Sequence, residues 1–233
     1  ATGPHGALYI CDMYRKVIDH PQYLPEHIRG SLDYEAGKTM GRIYRVTATS
    51  SKTQAPSSKL NLAAASTQEL VTKLNDANGW VRSTAFRLLA ERADKAAGPL
   101  LKSVATDSST QSPTARSAAL NLLNGAGLID EAGLLESFDD PAPRVRESAV
   151  LLAEQHLAAR SSTPVSPLAK RVAALADDSD ARVRFVSVLA LGGTIVANPD
   201  GAFFAPVSVA LDKAALRDAT NRWSRAAVFS SVP

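Results

Sequence analysis

Cysteine is almost absent from this sequence: Cys11 is the single one among 233 residues. One thiol excludes an intrachain disulfide and a metal site built from several thiolates, and there is no Cys-x-x-Cys-His motif to attach a c-type haem. Histidine is also scarce, with four residues, and none has the spacing to other ligand types that a metal site requires. We therefore predict no metal and no other cofactor in this chain.

Blocks of like charge and long hydrophobic runs are missing too. The 26 basic and 23 acidic residues are interspersed and leave a net charge of +3, which argues against a nucleic-acid or membrane-binding surface. The run from Phe185 to Ala197 has 13 uncharged residues, whereas a membrane-spanning helix needs about 20. This run indicates a buried helix with its turn, and the sequence predicts no membrane span.

Three regions follow one another along the chain. Residues 1–46 have β-like character, and residues 60–233 have helical periodicity. Between them, residues 47–59 (TATSSKTQAPSSK) are small and polar without apolar periodicity. We predict a linker there that separates a short β segment from helical repeats.

The β segment contains two candidate strands, Ala7–Cys11 and Gly41–Val46, separated by a long connection. Within that connection, Pro25 favours the start of a short helix that runs through Ser31. Two strands bury too little apolar surface to be stable by themselves. We therefore expect this segment to be the last piece of a larger β architecture, and the chain to be a fragment of a longer protein.

An arginine recurs through the helical region at separations of 34, 30, 38 and 41 residues. The five positions are Arg82, Arg116, Arg146, Arg184 and Arg225. The residue before each arginine and the residues four and seven positions after that residue lie on one helix face. They are small or apolar in most copies. Internal similarity at this period predicts a solenoid.

A partner helix precedes each arginine helix. The predicted partners are a helix capped by Ser66 with Glu69 in the capping box, and the segments Ala97–Ala105, Asp130–Phe138, Pro167–Leu175 and Ala205–Leu216. This order of helix, acidic turn and Val-Arg helix is typical of HEAT repeats. We predict a mostly α fold: an α–α superhelix of four to five HEAT-like helix pairs over residues 60–233, preceded by a short β-hairpin-like segment.

The repeat arginines have two interpretations. They could form a basic stripe that binds phosphates, or each could pair with an aspartate of a turn and organise the stack. The second interpretation is favoured, because the planar guanidinium can bind a carboxylate through two hydrogen bonds and because nearby acids cancel the field that a polyanion needs. The acids available for this role are Asp76, Asp140, Asp180 and Asp218.

Four polar residues near the end of the first strand are candidates for catalysis. They are Asp12, Tyr14, Arg15 and His20. Charged groups in a cleft can be tuned for proton transfer, but the favoured alternative is a turn cap, an ion pair and a solvated loop. For Cys11 the favoured interpretation is a buried strand thiol, and for Trp80 and Trp223 it is packing against a neighbouring helix pair.

The two regions together resemble a bacterial family. Gly3–Tyr14, His20-Pro21 and Gly41–Val46 resemble the closing β-propeller blade of planctomycete-type membrane-bound dehydrogenases, also described as putative haem-binding proteins. Asn78–Leu89 resembles the first HEAT helix that follows the propeller in that family. The resemblance implies a parent with a glucose/sorbosone dehydrogenase-like propeller, then HEAT repeats and usually a c-type cytochrome domain. It also implies an extracytoplasmic location, sugars or related alcohols as substrates, c-type haem, and a quinone or calcium as candidate further cofactors.

We expect no catalysis by this chain alone. Its expected role is that of a HEAT-repeat scaffold that links the parent's propeller to an electron acceptor, or that binds a protein partner. The expected partners are thus a protein or neighbouring domains of the same parent, and neither nucleic acid nor membrane. The alternatives are a stand-alone protein-interaction scaffold and, less favoured, a HEAT array that binds nucleic acid.

Overall fold

The computed structural model describes residues 2–47, 60–158, 167–197 and 204–231. The predicted linker lies outside these ranges except for residue 47. The chain divides into two compact units. The first is Ala1–Asn61 with Ala77–Val81, and the second is Leu62–Asp76 with Arg82–Pro233.

The first unit contains an antiparallel pair of strands, β1 (Leu8–Asp12) and β2 (Arg42–Val46), in a sheet of two strands. The register runs from Leu8 opposite Val46 to Asp12 opposite Arg42. A short helix, α1 (Glu26–Arg29), lies in the connection. The predicted hairpin-like segment is thus present, with each strand beginning one residue later than predicted.

Both faces of this sheet leave apolar side chains exposed. The exposed residues of the two strands include Leu8, Ile10, Ile43, Tyr44 and Val46. Cys11 is exposed as well, so the prediction of a buried thiol is wrong. The physical reason is that two paired strands leave their faces uncovered unless another layer packs on them.

Helices make up the rest of the described chain. Their bounds are α2 (Thr67–Lys73), α3 (Gly79–Arg92), α4 (Gly98–Thr106), α5 (Pro113–Gly125), α6 (Glu131–Ser137), α7 (Pro143–Ala158), α8 (Pro167–Leu175), α9 (Ala181–Ala197), α10 (Phe204–Arg217) and α11 (Arg222–Ser230). Taken in chain order they form five pairs. The predicted mostly α fold of HEAT-like helix pairs is confirmed.

Local capping explains where several of these helices begin. Ser66 accepts a hydrogen bond from Glu69 N, and the Glu69 carboxylate accepts one from Ser66 N, which completes the predicted capping box. Ser112 caps α5 immediately before Pro113, and Asp130 caps α6. These side chains satisfy N–H groups that the first helical turn leaves without an internal partner.

The helix pairs stack in two layers within the second unit. The second helices α5, α7, α9 and α11 pack on one another in succession, and so do the first helices α2, α4, α6, α8 and α10. Small residues at one position of the second helices allow this close approach. These residues, all completely buried, are Ala85, Ala119, Ala149 and Ser187.

Ser187 is the polar exception in this series. Its hydroxyl oxygen is buried and has no hydrogen-bond partner among the described residues. A buried hydroxyl without a partner loses its hydration without compensation.

We expect Ser187→Ala to raise the free energy of unfolding by about 1 kcal/mol, measured by urea denaturation. The control is Ser148→Ala, because Ser148 Oγ already donates to Arg144 O at 3.0 Å, and its removal should give no gain. A loss of stability in Ser187→Ala would contradict this account.

Candidate functional site

Three repeat arginines form a ladder through the stacked helix pairs. Each uses Nε and Nη2 to donate to both carboxylate oxygens of an aspartate in the turn of the next pair. The pairs, at 2.7 to 2.8 Å, are Arg116–Asp140, Arg146–Asp178 and Arg184–Asp218. This is the bidentate geometry that guanidinium and carboxylate favour.

The same arginines also hold the turn before their own helix. Their Nη1 atoms donate to backbone carbonyls of Gln111, Asp140 and Asp178, respectively. Arg82 and Arg225 make the corresponding bonds to Asp76 O at 2.7 Å and Ala219 O at 3.0 Å. Each ladder arginine therefore connects the turn before its own helix to the corresponding turn of the next helix pair.

One of the acids that were expected to pair with a repeat arginine has a different role in the structure. Arg146 binds Asp178 and not Asp180, because Asp180 is used locally: its carboxylate accepts hydrogen bonds from Arg182 N and Val183 N at the start of α9. The carboxylate of the predicted partner Asp76 binds Lys73 Nζ at 3.0 Å.

Burial and charge pairing set the electrostatics of the ladder. The side chains of Arg116 and Asp140 are only 3% and 7% exposed. The hydrogen bonds from Arg184 lower the pKa of Asp218 below its ordinary value. For Asp178, burial acts to raise the pKa, but the hydrogen bonds from Arg146 and from Asp180 N outweigh it, and the net pKa is lowered. These arginines are engaged by structural acceptors and do not form an open phosphate-binding stripe.

The four catalytic candidates of the first unit make separate local contacts. Asp12 Oδ1 accepts from Tyr14 N at 2.9 Å, and His20 Nδ1 accepts from Gln22 N at 3.3 Å. Arg15 Nη2 donates to Tyr34 O at 2.7 Å. No hydrogen bond between the side chains of these candidates occurs in the described part of the unit. Asp12 and His20 cap local turns, and Arg15 connects two parts of the loop. These contacts do not bring the four side chains together as a proton-transfer site.

The ring of Tyr14 has a cationic neighbour. The Arg42 guanidinium carbon lies 4.2 Å from the Tyr14 ring centroid, and Arg42 Nη1 donates to the Tyr44 hydroxyl at 3.2 Å. Tyr14 itself has a φ of 51°, in the left-handed region that bulky residues rarely adopt. Gly37 is required beside it, because a Cβ there would lie 1.8 Å from Tyr14 O. The sequence reasoning singled out Tyr14 but missed Arg42 and Gly37 as its neighbours.

A second constellation lies on the exposed side of α7 and α9. Glu147 is buried, and its two carboxylate oxygens accept from Arg144 Nη1 at 3.1 Å and Arg182 Nε at 2.6 Å. Both arginine side chains remain mostly exposed, at 71% and 68%. The hydrogen bond to Glu147 also raises the pKa of Arg182. One buried acid thus holds two solvent-facing guanidinium groups from neighbouring helices.

Two leucines accompany these arginines. Leu151 and Leu189 are 44% and 37% exposed and follow the ladder arginines of their helices by five residues. Towards the N-terminal ends of α7 and α9, the two helices are in contact through Arg182 and Glu147. Towards their C-terminal ends, Gly193 lies opposite Glu154, with a Cβ position 3.6 Å from Glu154 Oε1. Leu151 and Leu189 lie between these two contacts and are therefore at the same height along the helix axes. We call the surface of Arg144, Leu151, Arg182 and Leu189 the Arg–Leu face.

The sequence reasoning missed this face, although a signal for it exists. An Arg-Val-Arg triplet occurs twice, at 144–146 and 182–184, and the second arginine of each belongs to the ladder. The first arginine is two residues away and so points to a different side of the helix. Glu147 follows Arg144 by three residues, which is the spacing of neighbours on a helix surface.

Other kinds of site are not found in the described residues. No group of three or more histidine, cysteine, aspartate or glutamate side chains in these ranges could hold a metal ion. Within the same ranges, no helix combines the length and hydropathy needed to cross a membrane. Trp223 is 64% exposed, so the expectation that it packs against a neighbouring helix pair is wrong; the Arg222 guanidinium carbon lies 4.8 Å from its ring centroid.

A protein-family profile described as a domain of unknown function (DUF7133) matches residues 1–50. No curated protein matches the chain. Among solved structures, a designed armadillo repeat protein is similar at 18% identity and a TM-score of 0.46, covering 70% of this chain and 79% of that one. An engineered protein from a structural genomics consortium is similar at 14% identity and a TM-score of 0.46, covering 71% of this chain and 77% of that one.

Proposed function

We propose that the helical repeats are a protein-binding scaffold and that the Arg–Leu face holds a segment of the partner. The observation that carries the proposal is the pair of exposed leucines beside two exposed arginines that Glu147 fixes from below. The segment that fits this surface has aliphatic side chains and at least one carboxylate.

The chemistry of the face supports such a partner. Covering the exposed part of each leucine stabilises a complex by about 1 kcal/mol. Each guanidinium uses one nitrogen for Glu147 and has further N–H groups for a second carboxylate. Because Glu147 already restrains both arginines, less conformational entropy is lost when a partner binds.

A nucleic-acid partner is less well supported. The ladder arginines bind carboxylates and carbonyls, and the two exposed arginines of the face share the negative charge of Glu147. A polyanion binds where positive charge is uncompensated over several phosphates. We therefore favour the protein partner.

The role of the first unit is part of the same proposal. Its exposed apolar strands and the resemblance of its sequence to a closing propeller blade support a place in a larger β structure. In this proposal the parent is an extracytoplasmic sugar or alcohol dehydrogenase, and the repeats link its propeller to a c-type haem acceptor or to a partner protein. The full reading frame tests this: propeller repeats upstream and Cys-x-x-Cys-His downstream are expected. Unrelated domains on both sides would instead favour the stand-alone scaffold.

The Arg–Leu face predicts which substitutions weaken partner binding. Peptides selected from a random library on the 233-residue chain should be rich in acidic and aliphatic residues. We expect Leu151→Asp and Leu189→Asp each to weaken these peptides at least tenfold, because a carboxylate replaces apolar contact and repels an acidic segment. Isothermal titration calorimetry of the selected peptides measures the effect.

Leu216→Asp provides the matched control for this experiment. Leu216 is 82% exposed on α10, a helix of the other layer, so the same substitution should leave peptide affinity unchanged. Equal loss in all three variants, or selected peptides with no acidic or aliphatic preference, would contradict the proposal.

A further inference from the structure

A cavity of about 260 Å³ lies between the helix pairs α2/α3 and α4/α5. Its wall is mostly apolar and includes Phe86, Leu89, Leu101 and Leu122. The exposed residues Ala90 and Gly125 also line it, so the cavity opens to solvent between the C-terminal parts of α3 and α5.

The residues at the mouth of the cavity have smaller side chains than those at the corresponding positions of α7. Ala90 follows Arg82, the repeat arginine of α3, by eight residues, where α7 has Glu154. Gly125 occupies the next position, where α7 has Gln155. With a hydrogen or a methyl group at its mouth, the space between the helices stays open.

The volume is large enough for an aromatic ring. An apolar cavity of about 150 Å³ in another protein stays dry and takes up benzene. The present cavity is larger than that, which leaves room for the two fused rings of an indole.

The two polar residues that line the cavity, Asp94 and Asn121, indicate which hydrogen-bonding group a ligand should have. Asp94 contributes a carboxylate, which accepts from Thr67 Oγ1 at 2.8 Å and from Ala96 N at 2.9 Å. Asn121 donates one amide N–H to Ser117 O at 2.8 Å, and its carbonyl oxygen remains as an acceptor beside the second N–H. Both residues therefore present acceptors, and a ring that bears an N–H donor matches them.

We propose that this cavity binds the indole ring of a tryptophan from the partner segment. The inference rests on the proposed function for the source of the ring, while the cavity itself supplies the recognition. Asn121 follows its ladder arginine by five residues, the position that Leu151 and Leu189 hold on α7 and α9. The cavity thus lies on the same side of the stacked second helices as the Arg–Leu face.

This placement sets a spacing within the partner segment. Two interhelical steps of 8 to 10 Å separate the middle of α3 and α5 from the middle of α7 and α9, about 16 to 20 Å in total. An extended chain advances about 3.3 Å per residue, so the tryptophan and the acidic residue should lie about five or six positions apart.

Indole itself is the probe that tests the cavity. Calorimetric titration of the 233-residue chain should give a saturable dissociation constant of about 1 mM or tighter. Ala90→Leu and Ala126→Leu place an isobutyl group in the cavity, and each should weaken indole at least tenfold. 1-Methylindole lacks the N–H donor and should bind about threefold to tenfold more weakly than indole to the unmodified chain.

Ala132→Leu is the control, because Ala132 is an exposed alanine on α6 that does not line the cavity. It should leave indole binding unchanged, and urea denaturation should show that all three leucine variants remain folded. Absence of saturable indole binding, or equal binding to the chain and to both filled variants, would overturn the proposal. Equal binding of indole and 1-methylindole would overturn the assignment of the N–H donor.

The two proposals fail in different ways. If indole binds as expected but no peptide is selected, the cavity stands and the scaffold function does not. If peptides bind to the Arg–Leu face but neither carry tryptophan at the expected spacing nor respond to Ala90→Leu, the scaffold stands and the indole site does not.

Discussion

Asp140→Ala should lower the free energy of unfolding by about 3–5 kcal/mol. The substitution leaves the Arg116 guanidinium, whose side chain is 3% exposed, without its carboxylate in a buried position. It also removes the acceptor for Ala142 N, which Asp140 Oδ1 binds at 2.7 Å. Urea denaturation followed by circular dichroism measures the loss.

The neighbouring residue gives a matched control. Asp139 pairs with Arg171 on the surface, where the two side chains are 75% and 40% exposed, and Asp139→Ala should cost less than about 1 kcal/mol. The double variant Arg116→Met/Asp140→Ala should recover part of the loss, because it removes the buried charge together with its partner. If Asp140→Ala is as mild as Asp139→Ala, the ladder does not stabilise the stack as described.

Gly192→Ala should destabilise the C-terminal helix by about 1–3 kcal/mol. A Cβ at this position of α9 would lie 2.4 Å from Ser231 Oγ and 2.7 Å from Ser231 Cα, so backbone must move. Ser231 is buried there and donates to Val188 O and Ala227 O at 3.1 and 2.7 Å. We expect faster amide hydrogen exchange in α11, together with the lower stability.

The next residue is again the control. Gly193 is exposed, and its added Cβ would make only an ordinary contact with Glu154 Oε1 at 3.6 Å. Gly193→Ala should therefore stabilise the chain by about 0.5–1 kcal/mol, since alanine loses less backbone entropy than glycine in a helix. Equal effects of the two substitutions would show that α11 does not pack closely on α9 at Gly192.

The helices were predictable because their signals are local. Helix α8 begins and ends where Pro167–Leu175 was predicted, and Ser66 and Glu69 form the expected capping box. Such features depend on periodicity and on contacts three or four residues apart, which the order of residues determines directly.

The pairing within the ladder was only half predictable. The arginine register indicated that each guanidinium meets a turn acid, but Asp178 and Asp180 are in the same turn and have the same side chain. Asp180 faces the start of its own helix, while Asp178 faces Arg146 of the preceding pair. The choice between them depends on a separation of 32 residues that closes only when the pairs stack.

The surfaces that bear on function were the least predictable. Glu147 looks like an ordinary helical carboxylate until Arg182, 35 residues away, is brought against it. The cavity lined by Ala90 and Gly125 likewise exists only because neighbouring helices approach without filling the space between them.

The sequence by itself determined that this chain has helical pairs with a recurring arginine and a two-strand segment before them, because periodicity, caps and turn residues act over a few positions. The tertiary structure alone decided which aspartate each arginine binds, which strand residues stay exposed, and where leucines, arginines and an open cavity share one side of the stack. Those outcomes depend on distances between residues that are more than 20 positions apart, and packing of the helices sets them.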